Sequence, residues 1–557
     1  MFTLRVATLA ILAFATAPLA RSQAPPSVHL DNATFIGNAS GVVTQFLGIP
    51  FALPPVGDLR LRLPQPNAPY VGVFNASAFG PACIQQPAQV PLPAGLSPST
   101  VQFFEGRSGD PPVVDSENCL TIHVLKPANA TESAKLPVLV WIYGGGFETG
   151  AADFHTDGSV IVERSIQLGQ PLVYVSLNYR LSALGFLGGV EAKKAGVGNL
   201  GLQDQRLALR WVQKYIHAFG GDPSKVTIWG ESAGAISVAL QLVTNGGNSE
   251  GLFRGAFMQS GSTQSIGPIA DGQRYYDALV ANVSCAAAND TLQCLREAPI
   301  DKLRTAINAS PGMFAFQSMD LAWQPRVDGV FLTDDPQKLV LQDSVAKVPF
   351  VSGDCDDEGT LFSLTNANLT TDDEVRAYIA SIYFQGAPSA DIDAILALYP
   401  NDTTQGSPFD TGTLNAVTPQ FKRLAALQGD YGFQAPRRFF LQQRTGKQPA
   451  FSFLNKRGKS MPDLGAFHSS DVGLIYGPSD MTDYLIRFAV HLDPNVGASA
   501  DPSASLFWPP YTTASPQLLT FLDGAVPLNI TLDTYRAEGM ATLTRVSLAN
   551  PWGAPPA

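Results

Sequence analysis

The feature that most constrains this chain is the run Gly230-Glu-Ser-Ala-Gly234, which lies between a β-rich stretch and an apolar helical stretch. Residues 226–229 have the composition of a buried strand, and residues 236–243 have the composition of a helix. Glycines two residues before and after Ser232 permit a tight strand-to-helix turn, which pushes the serine oxygen out of the sheet. The helix that follows would point its amide dipoles at a negative charge forming there. The pattern predicts Ser232 as a nucleophile.

Three further short apolar runs precede this turn, at residues 121–125, 136–142 and 171–178. Continuous β-branched runs bounded by turn residues indicate strands buried on both faces, as in a parallel sheet. Residues 202–219 have helical apolar spacing, and Gly220-Gly221 ends that helix. Strands that alternate with helices predict an α/β fold with a large, mostly parallel sheet. Ligands bind such sheets at the carboxyl ends of the strands, where Ser232 would emerge.

The composition favours one large globular unit over several small ones. The length of 557 residues alone would permit three or four domains, but 45% of the residues are hydrophobic and only 15% are charged. The formal net charge is −11, which gives no electrostatic basis for binding nucleic acid or anionic membranes. Neutral substrates stay possible, and the oligomeric state is left open.

The first 22 residues have the features of a secretory signal peptide. Arg5 supplies one positive charge, residues 6–17 form an apolar core, and Ala20 or Ser22 is a suitable last residue before cleavage. The apolar core is shorter than a membrane span, and no later stretch is long enough for one. We expect a secreted, extracellular protein with a signal peptide at residues 1–22 and a single domain at residues 23–557.

Export makes the cysteines and the asparagine sequons informative. Five cysteines in an oxidising compartment predict two disulfides and one free thiol. Ten Asn-x-Ser/Thr sequons predict several glycosylated, exposed asparagines. These are Asn32, Asn38, Asn75, Asn129, Asn282, Asn289, Asn308, Asn368, Asn401 and Asn529.

A serine hydroxyl needs a base, and the base needs an orienting acid. The order serine, acid, histidine applies to nucleophiles on turns of this kind, so only His468 and His491 come late enough in the chain. His468, in the loop-like run 464–471, is the stronger candidate. Four carboxylates follow the apolar run 348–351, and composition does not choose among them. They are Asp354, Asp356, Asp357 and Glu358.

The glycine run Gly144-Gly-Gly146 follows the apolar run 136–142 and offers unobstructed backbone amides. Such amides suit an oxyanion hole. A phosphate-binding role is excluded because no lysine follows the glycines and no Gly-x-Gly-x-x-Gly pattern is present. The predicted chemistry requires no metal and no organic cofactor.

Cys83 and Cys119 bracket a stretch, residues 84–118, that is rich in proline, glycine and serine and carries scattered apolar residues. A loop of this length without clear periodicity is usually functional or disordered. A disulfide at its base would make it a tethered, lid-like flap.

Taken together, these motifs resemble the type-B carboxylesterase/lipase family, which has the α/β-hydrolase fold and includes cholinesterases and fungal lipases and sterol esterases. The matching stretches span nearly the whole mature chain. They are residues 46–60, 116–120, 143–147, 178–180, 199–235, 356–360, 465–471 and 508–511.

The resemblance implies roles for individual residues. Glu358 would be the acid and His468 the base, and Gly145, Gly146 and Ala233 would donate the oxyanion amides. The disulfides would be Cys83–Cys119 and Cys285–Cys294, which leaves Cys355 free. The spacing of the first pair resembles the lid loop of fungal lipases.

The resemblance also implies an ion pair between Arg60 and Glu231 as structural support. The chain departs from the family at Ser116-Glu-Asn-Cys119, which replaces the usual Glu-Asp-Cys and would weaken any ion pair expected there.

The resemblance implies a serine carboxylic ester hydrolase, and the apolar flap favours lipid-like or other bulky apolar esters, with a lipid–water interface as a partner. Cinnamoyl-type or small soluble esters, and a cholinesterase-like activity, are alternatives. A catalytically silent binding protein of the same family is a further alternative, but such members lack parts of the triad, and all three residues are present here.

Overall fold

The computed structural model describes residues 24–107, 113–153, 157–497 and 505–553. The predicted signal peptide lies outside these ranges. A large sheet of eleven strands forms the centre of the described chain, and a separate sheet of three strands lies at the N-terminal side of the sequence. The fourteen strands, in chain order, are β1 (Ser27–Leu30), β2 (Asn32–Ile36), β3 (Asn38–Ser40), β4 (Val43–Pro50), β5 (Val71–Asn75), β6 (Thr121–Pro127), β7 (Leu136–Ile142), β8 (Val173–Leu177), β9 (Gly221–Glu231), β10 (Gly255–Gln259), β11 (Phe350–Cys355), β12 (Ala450–Asn455), β13 (Gln517–Phe521) and β14 (Leu528–Leu532).

The strands of the large sheet follow the order β14-β13-β12-β11-β10-β9-β7-β8-β6-β4-β3. Neighbours from β8 through β13 are parallel, whereas β3, β4, β6 and β8 pair antiparallel and β14 pairs antiparallel with β13. The prediction of a large, mostly parallel sheet is confirmed. The parallel core carries the carboxyl ends of β7, β9 and β11 to one edge, where the functional loops begin.

Helices cover both faces of the large sheet. In chain order they are α1 (Pro98–Arg107), α2 (Gly158–Gln167), α3 (Ser182–Phe186), α4 (Val190–Ala195), α5 (Leu200–Tyr215), α6 (Ala233–Val243), α7 (Gln273–Asn282), α8 (Thr291–Glu297), α9 (Ile300–Asn308), α10 (Pro336–Leu341), α11 (Thr360–Ser363), α12 (Asp372–Ile382), α13 (Ser389–Leu398), α14 (Phe421–Gly429), α15 (Ala435–Arg444), α16 (Val472–Ile475), α17 (Asp480–His491) and α18 (Ala537–Ala549). No described helix is both long and apolar enough to cross a membrane.

The elements predicted around the central turn are present. The run 136–142 is β7, the run 226–229 lies inside β9, and α6 contains the predicted helix 236–243. The predicted helix 202–219 is α5 followed by a short 3-10 turn, which ends at Gly220 with a φ of 85°. A left-handed glycine is the usual end of a helix because it lacks a β-carbon.

One expectation about strand direction is wrong. The apolar run 121–125 forms β6 as a buried strand, but β6 pairs antiparallel with both of its neighbours. A continuous apolar run reports burial on both faces of a sheet, and helices over both faces bury antiparallel strands equally well. A continuous apolar run therefore predicts that a strand is buried, but it does not predict whether the strand is parallel or antiparallel to its neighbours.

A connected apolar core runs through the described chain from Val28 to Trp552. The residues of β7, β8, β10 and β11 contribute almost no exposed surface, as expected for strands between two helical layers. Loops that leave the carboxyl ends of these strands are therefore held on a rigid base.

Candidate active site

Ser232 stands at the junction of β9 and α6 with a φ of 55°. A β-carbon on Gly234 would lie 2.0 Å from the Ile142 carbonyl oxygen, and one on Gly230 would lie 2.4 Å from the Gly234 backbone. These contacts exclude a larger residue at either position, so the turn itself requires both glycines. The Ser232 amide donates to the Gln259 carbonyl at 2.9 Å, which ties the turn to the end of β10.

His468 and Glu358 lie beside Ser232, although they come from distant parts of the sequence. His468 Nε2 is 2.8 Å from Ser232 Oγ, and His468 Nδ1 is 2.5 Å from Glu358 Oε2. In the tautomer that carries its proton on Nδ1, the imidazole donates to Glu358 and accepts from the serine hydroxyl. This chain of hydrogen bonds is the geometry of a nucleophile, a base and an orienting acid. His491, the other histidine admitted by chain order, is exposed at the end of α17.

The three remaining carboxylates of the acidic run point elsewhere. Asp354 forms a buried ion pair with Arg437 at 2.8 Å, and Asp356 pairs with Lys459 at 2.6 Å. Asp357 accepts from the backbone amide of Ala466 at 2.9 Å. The geometry thus distinguishes the four carboxylates that composition left equivalent, since none of these three contacts the imidazole.

Burial sets the protonation of the hydrogen-bonded chain. It raises the pKa of the Glu358 carboxyl well above its ordinary value, and it lowers the pKa of His468 below 6.5 against the opposing charge of Glu231. The amide of Cys355 donates to Glu358 Oε1 at 2.6 Å and favours the ionised carboxylate. The lowered pKa of His468 keeps its imidazole neutral at neutral pH, which is the form that accepts a proton.

A second carboxylate, Glu231, adjoins this chain. Its Oε1 lies 3.6 Å from His468 Nε2 and accepts a short hydrogen bond from the Ser469 hydroxyl. Burial raises the pKa of Glu231 to about 7, against the opposing effect of His468. An ionised Glu231 would stabilise a protonated imidazole, because opposite charges attract strongly in a buried site.

The glycine run lies next to the serine. Gly145 and Gly146 have φ values of 97° and 62°, a region that favours glycine, and a β-carbon on Gly144 would lie 2.9 Å from the Ser232 β-carbon. Ala233 is the first residue of α6, where amides have no partner inside the helix. Among the described residues, the amides of Gly145, Gly146 and Ala233 donate no hydrogen bond. They are therefore free to bind a negatively charged oxygen beside Ser232.

The expected flap is closed at its base by the Cys83–Cys119 disulfide, with an S–S distance of 2.03 Å. The expectation of an irregular loop is wrong for residues 98–107, because they form α1. The α1 end of the flap is held by two hydrogen bonds to the loop before His468. The Ser97 amide donates to Asp463 Oδ2 at 2.7 Å, and the Thr100 hydroxyl donates to the Pro462 carbonyl at 2.8 Å.

A cavity of about 1190 Å³ opens over Ser232 and His468. Its walls are mostly apolar, and some of them come from parts of the chain that no sequence motif linked to the site. The flap contributes Val90 and Leu92, and the other walls include Met313, Phe433 and Trp552. Sequence reasoning missed these last three because they belong to irregular segments and a π-helical turn without apolar periodicity. No cluster of three or more potential metal ligands exists among the described residues.

The expected ion pair between Arg60 and Glu231 is wrong. Arg60 forms a bidentate ion pair with Glu117, next to the Cys119 end of the flap. The Nε–Oε1 distance is 2.5 Å and the Nη2–Oε2 distance is 2.8 Å. Glu231 instead faces His468 from the end of β9. The sequence at residues 116–119 differs from the usual family pattern, but an ion pair is still present there because Glu117 supplies the carboxylate that binds Arg60. This is contrary to the expectation of a weakened ion pair.

The second disulfide joins Cys285 to Cys294 with an S–S distance of 2.00 Å. Cys355 is the free cysteine, at the buried end of β11. Both pairings expected from the resemblance are present.

Comparisons with known proteins extend over nearly the whole chain. A sequence model described as "Carboxylesterase family" matches residues 24–536. The chain is 40% identical to "Lipase 4" of Diutina rugosa over 536 residues, which are 93% of this chain and 96% of the relative. It is 40% identical to "Secreted triacylglycerol lipase LIP1" of Gibberella zeae over 492 residues, 85% of this chain and 83% of the relative. The solved structure "Crystal Structure of Aspergillus niger EstA" superposes with a TM-score of 0.80 at 27% identity, covering 94% of this chain and 99% of that one.

Proposed function

This chain belongs to the carboxylesterase family and is a carboxylic ester hydrolase of the lipase type with the α/β-hydrolase fold, and we propose that its substrates are lipid esters with long acyl chains. One observation carries this proposal. The hydrogen-bonded chain of Ser232, His468 and Glu358 opens into a large, mostly apolar cavity beneath a tethered flap. Such a cavity suits an extended hydrocarbon chain, because burial of apolar surface drives its binding.

Acylation begins at Ser232. His468 accepts the serine proton through Nε2, and Ser232 Oγ attacks the ester carbonyl carbon. Glu358 holds the imidazole in the reactive tautomer and stabilises the imidazolium that forms. The carbonyl oxygen becomes an oxyanion and accepts hydrogen bonds from the amides of Gly145, Gly146 and Ala233.

Collapse of this intermediate releases the alcohol, which receives its proton from the His468 imidazolium. Water then enters, gives a proton to His468 and attacks the acyl-enzyme. The same three amides hold the second oxyanion, and Ser232 leaves with its proton restored. No step requires a metal or an organic cofactor.

A series of nitrophenyl esters of increasing acyl length tests the substrate class. We expect kcat/KM to rise with chain length, and to rise further when the long esters form an emulsion. A sharp preference for short soluble esters would contradict the lipid proposal and favour the small-ester alternative. A maximum on cinnamoyl esters would favour that alternative instead.

Ser232→Ala tests the nucleophile. We expect kcat to fall by about 10⁶-fold, the loss typical of removing such a serine. The wild-type protein should also lose activity after reaction with an organophosphate, with the label on Ser232. A variant that keeps full esterase activity would overturn the assignment of Ser232.

We infer that the protein is exported, processed near residues 20–22 and glycosylated, with residues 23–557 as one catalytic domain. Two disulfides and ten sequons support this inference, since both are features of extracellular chains. A relative named as secreted supports it as well. N-terminal sequencing of protein recovered from the medium tests the cleavage site, and retention of the full chain inside the cell would contradict it.

A further inference from the structure

The two sheets end in four edge strands. The large sheet ends in β3 and β14, and the small sheet, with the order β1-β2-β5, ends in β1 and β5. An edge strand presents a row of backbone N–H and C=O groups without a partner strand, and those groups can pair with another chain. Natural proteins usually protect such edges with charges, prolines, bulges or a covering element.

Two of these edges, β5 and β14, combine an uncharged, proline-free sequence with exposed aliphatic side chains. Their sequences, Val-Gly-Val-Phe-Asn and Leu-Asn-Ile-Thr-Leu, contain no charge and no proline. Both strands also have exposed aliphatic side chains in or next to them. Val71 and Val73 of β5 are each 71% exposed, Leu532 of β14 is 54% exposed, and Val526, just before β14, is 67% exposed. An exposed aliphatic edge without charges is an association hazard.

Each of these two strands carries a sequon asparagine. Asn75 is the last residue of β5, and Asn529 is the second residue of β14, and both side chains are exposed. Their side-chain oxygens accept from nearby backbone amides, those of Ser77 at 3.2 Å and Ile530 at 2.9 Å. Within the described chain neither side-chain nitrogen donates a hydrogen bond, so both nitrogens are free for attachment of a sugar.

The other two edges differ. Asn38 in β3 is also a sequon asparagine, but it is only partly exposed and its nitrogen donates to the Ser77 carbonyl at 2.5 Å. The strand β1 carries no sequon, and it packs against the 3-10 turn Ile216–Phe219. The combination of an aliphatic, uncharged edge with a free, exposed sequon is therefore found at β5 and β14.

We propose that Asn75 and Asn529 carry N-linked glycans, and that these glycans shield the two sheet edges from pairing with a second copy of the chain. The inference rests on the proposed export. In the transfer, the asparagine nitrogen bonds to the anomeric carbon of a lipid-linked oligosaccharide pyrophosphate. The bond from that carbon to the pyrophosphate breaks, and the nitrogen loses one proton. A bulky, hydrated glycan on an edge strand blocks the close approach that strand pairing requires.

The experiment uses protein secreted by a eukaryotic host. Glycopeptide mass spectrometry first measures occupancy at every sequon. A double variant, Asn75→Gln with Asn529→Gln, removes both edge sites. The matched control, Asn282→Gln with Asn308→Gln, removes two exposed sequons that lie at the ends of helices α7 and α9 and not in a strand. Light scattering after size exclusion then compares the mass distributions, and turnover of a soluble nitrophenyl ester compares activity.

We expect both edge sequons to be occupied. The edge variant should form dimers and larger species at concentrations where wild type and the control variant do not, with turnover per chain unchanged in all three. Glycans at other sequons but not at Asn75 and Asn529 would overturn the inference while leaving export intact. Equal association of the edge and control variants would also overturn it. A chain without any glycan would overturn the proposed export and this inference together.

Discussion

At the scale of single residues, Asp357 connects the loop that carries Glu358 to the loop that carries His468. Its Oδ2 accepts from the Ala466 amide at 2.9 Å and from Lys459 Nζ at 2.7 Å, and its own amide donates to the Ala466 carbonyl at 3.0 Å. Its Oδ1 accepts from the Phe409 amide and the Ser407 hydroxyl. The carboxylate is fully buried. One side chain therefore holds together three segments that meet beside His468.

Asp357→Asn tests this positioning role. The amide group cannot accept every hydrogen bond that the carboxylate accepts, so the His468 loop should shift. A small misplacement of a reacting group can cost about 10²-fold, and we expect a loss of that order in kcat with little change in KM. The downfield proton resonance of the His468–Glu358 hydrogen bond should shift as well.

Asp356→Asn is the matched control, because Asp356 is buried and bonded to Lys459 but does not contact the His468 loop. It should lose some stability and keep most of its turnover. Equal losses of kcat in the two variants, with an unchanged resonance in both, would show that Asp357 acts only through stability.

The pH dependence should follow the imidazole. Because burial holds the pKa of His468 below 6.5, the neutral base persists into mildly acidic solution. As pH falls through that pKa, the imidazole is protonated and kcat/KM should fall. The acidic limb of the profile of kcat/KM against pH, measured with a soluble ester, should therefore lie below pH 6.5.

Because the pKa of Glu231 is raised to about 7, this carboxyl is only partly ionised on the acidic limb, so Glu231→Gln should move the limb only slightly, toward lower pH. The carboxylate raises the pKa of His468 by its charge, and glutamine removes that charge. The same change should lower kcat, because the imidazolium formed in acylation loses a stabilising partner. Profiles of kcat/KM against pH for both proteins measure the shift, and a limb that moves to higher pH would contradict this account.

The sequence patterns predicted the serine, the histidine and the glycine run, which the structure brings together, because each predicted role needs a particular residue type in a particular place along the chain. They could not choose Glu358 among four neighbouring carboxylates, since the choice depends on the direction of each side chain after β11. The predicted ion pair between Arg60 and Glu231 was wrong for a related reason. An ion pair between residues 171 positions apart depends on the path of the whole chain, and in the fold Arg60 lies beside Glu117 instead.

At the scale of elements, the flap is the least regular part of the site. Its apolar residues Val90, Leu96 and Phe104 belong to one apolar cluster with Leu464 and Phe467 of the histidine loop. Because these residues divide between that loop and the cavity, their spacing in the sequence shows no helical stripe, and α1 was not predicted. The four apolar runs that form β6, β7, β8 and the end of β9, by contrast, were predicted because their residues are buried on both faces of the sheet.

Thr100→Val tests whether the docked flap supports binding of long substrates. The buried Thr100 hydroxyl donates to the Pro462 carbonyl, and valine has the same shape without the donor. A hydrogen bond of this kind contributes about 1 kcal/mol, which corresponds to roughly a fivefold change in the docking equilibrium. We expect a several-fold rise in KM for long-chain esters and no change for short ones.

Ser99→Ala is the control for that experiment. Ser99 lies on the exposed side of α1, and among the described residues its hydroxyl forms one hydrogen bond, with the Ser97 hydroxyl at 3.2 Å. Its chain-length profile should match wild type. A rise in KM that is the same for short and long esters in Thr100→Val would argue against a role of the flap in chain-length preference.

At the scale of the whole molecule, the cavity depends on the last described segment as well as on the centre of the chain. Trp552 belongs to the last described segment, yet it contributes to the cavity wall. Its amide donates to the Ser265 carbonyl at 3.0 Å, and its carbonyl accepts from the Gly267 amide at 2.9 Å. Its ring packs edge-on against Tyr431 with centroids 4.9 Å apart. Fold and chemistry can be anticipated from local patterns, whereas this wall exists only once the full chain is packed.

Trp552→Ala should therefore change both stability and substrate preference. Removing a buried indole from a packed wall costs about 3–5 kcal/mol in the free energy of unfolding. It also enlarges the cavity, so the optimum in a nitrophenyl ester series should move toward longer or bulkier acyl groups. Trp552→Phe keeps a ring in place and should show a smaller loss of stability and a smaller shift. Urea unfolding and the chain-length profile, measured on both variants, separate the two effects. A fall in stability with an unchanged optimum in both variants would mean that Trp552 closes the fold without limiting the substrate.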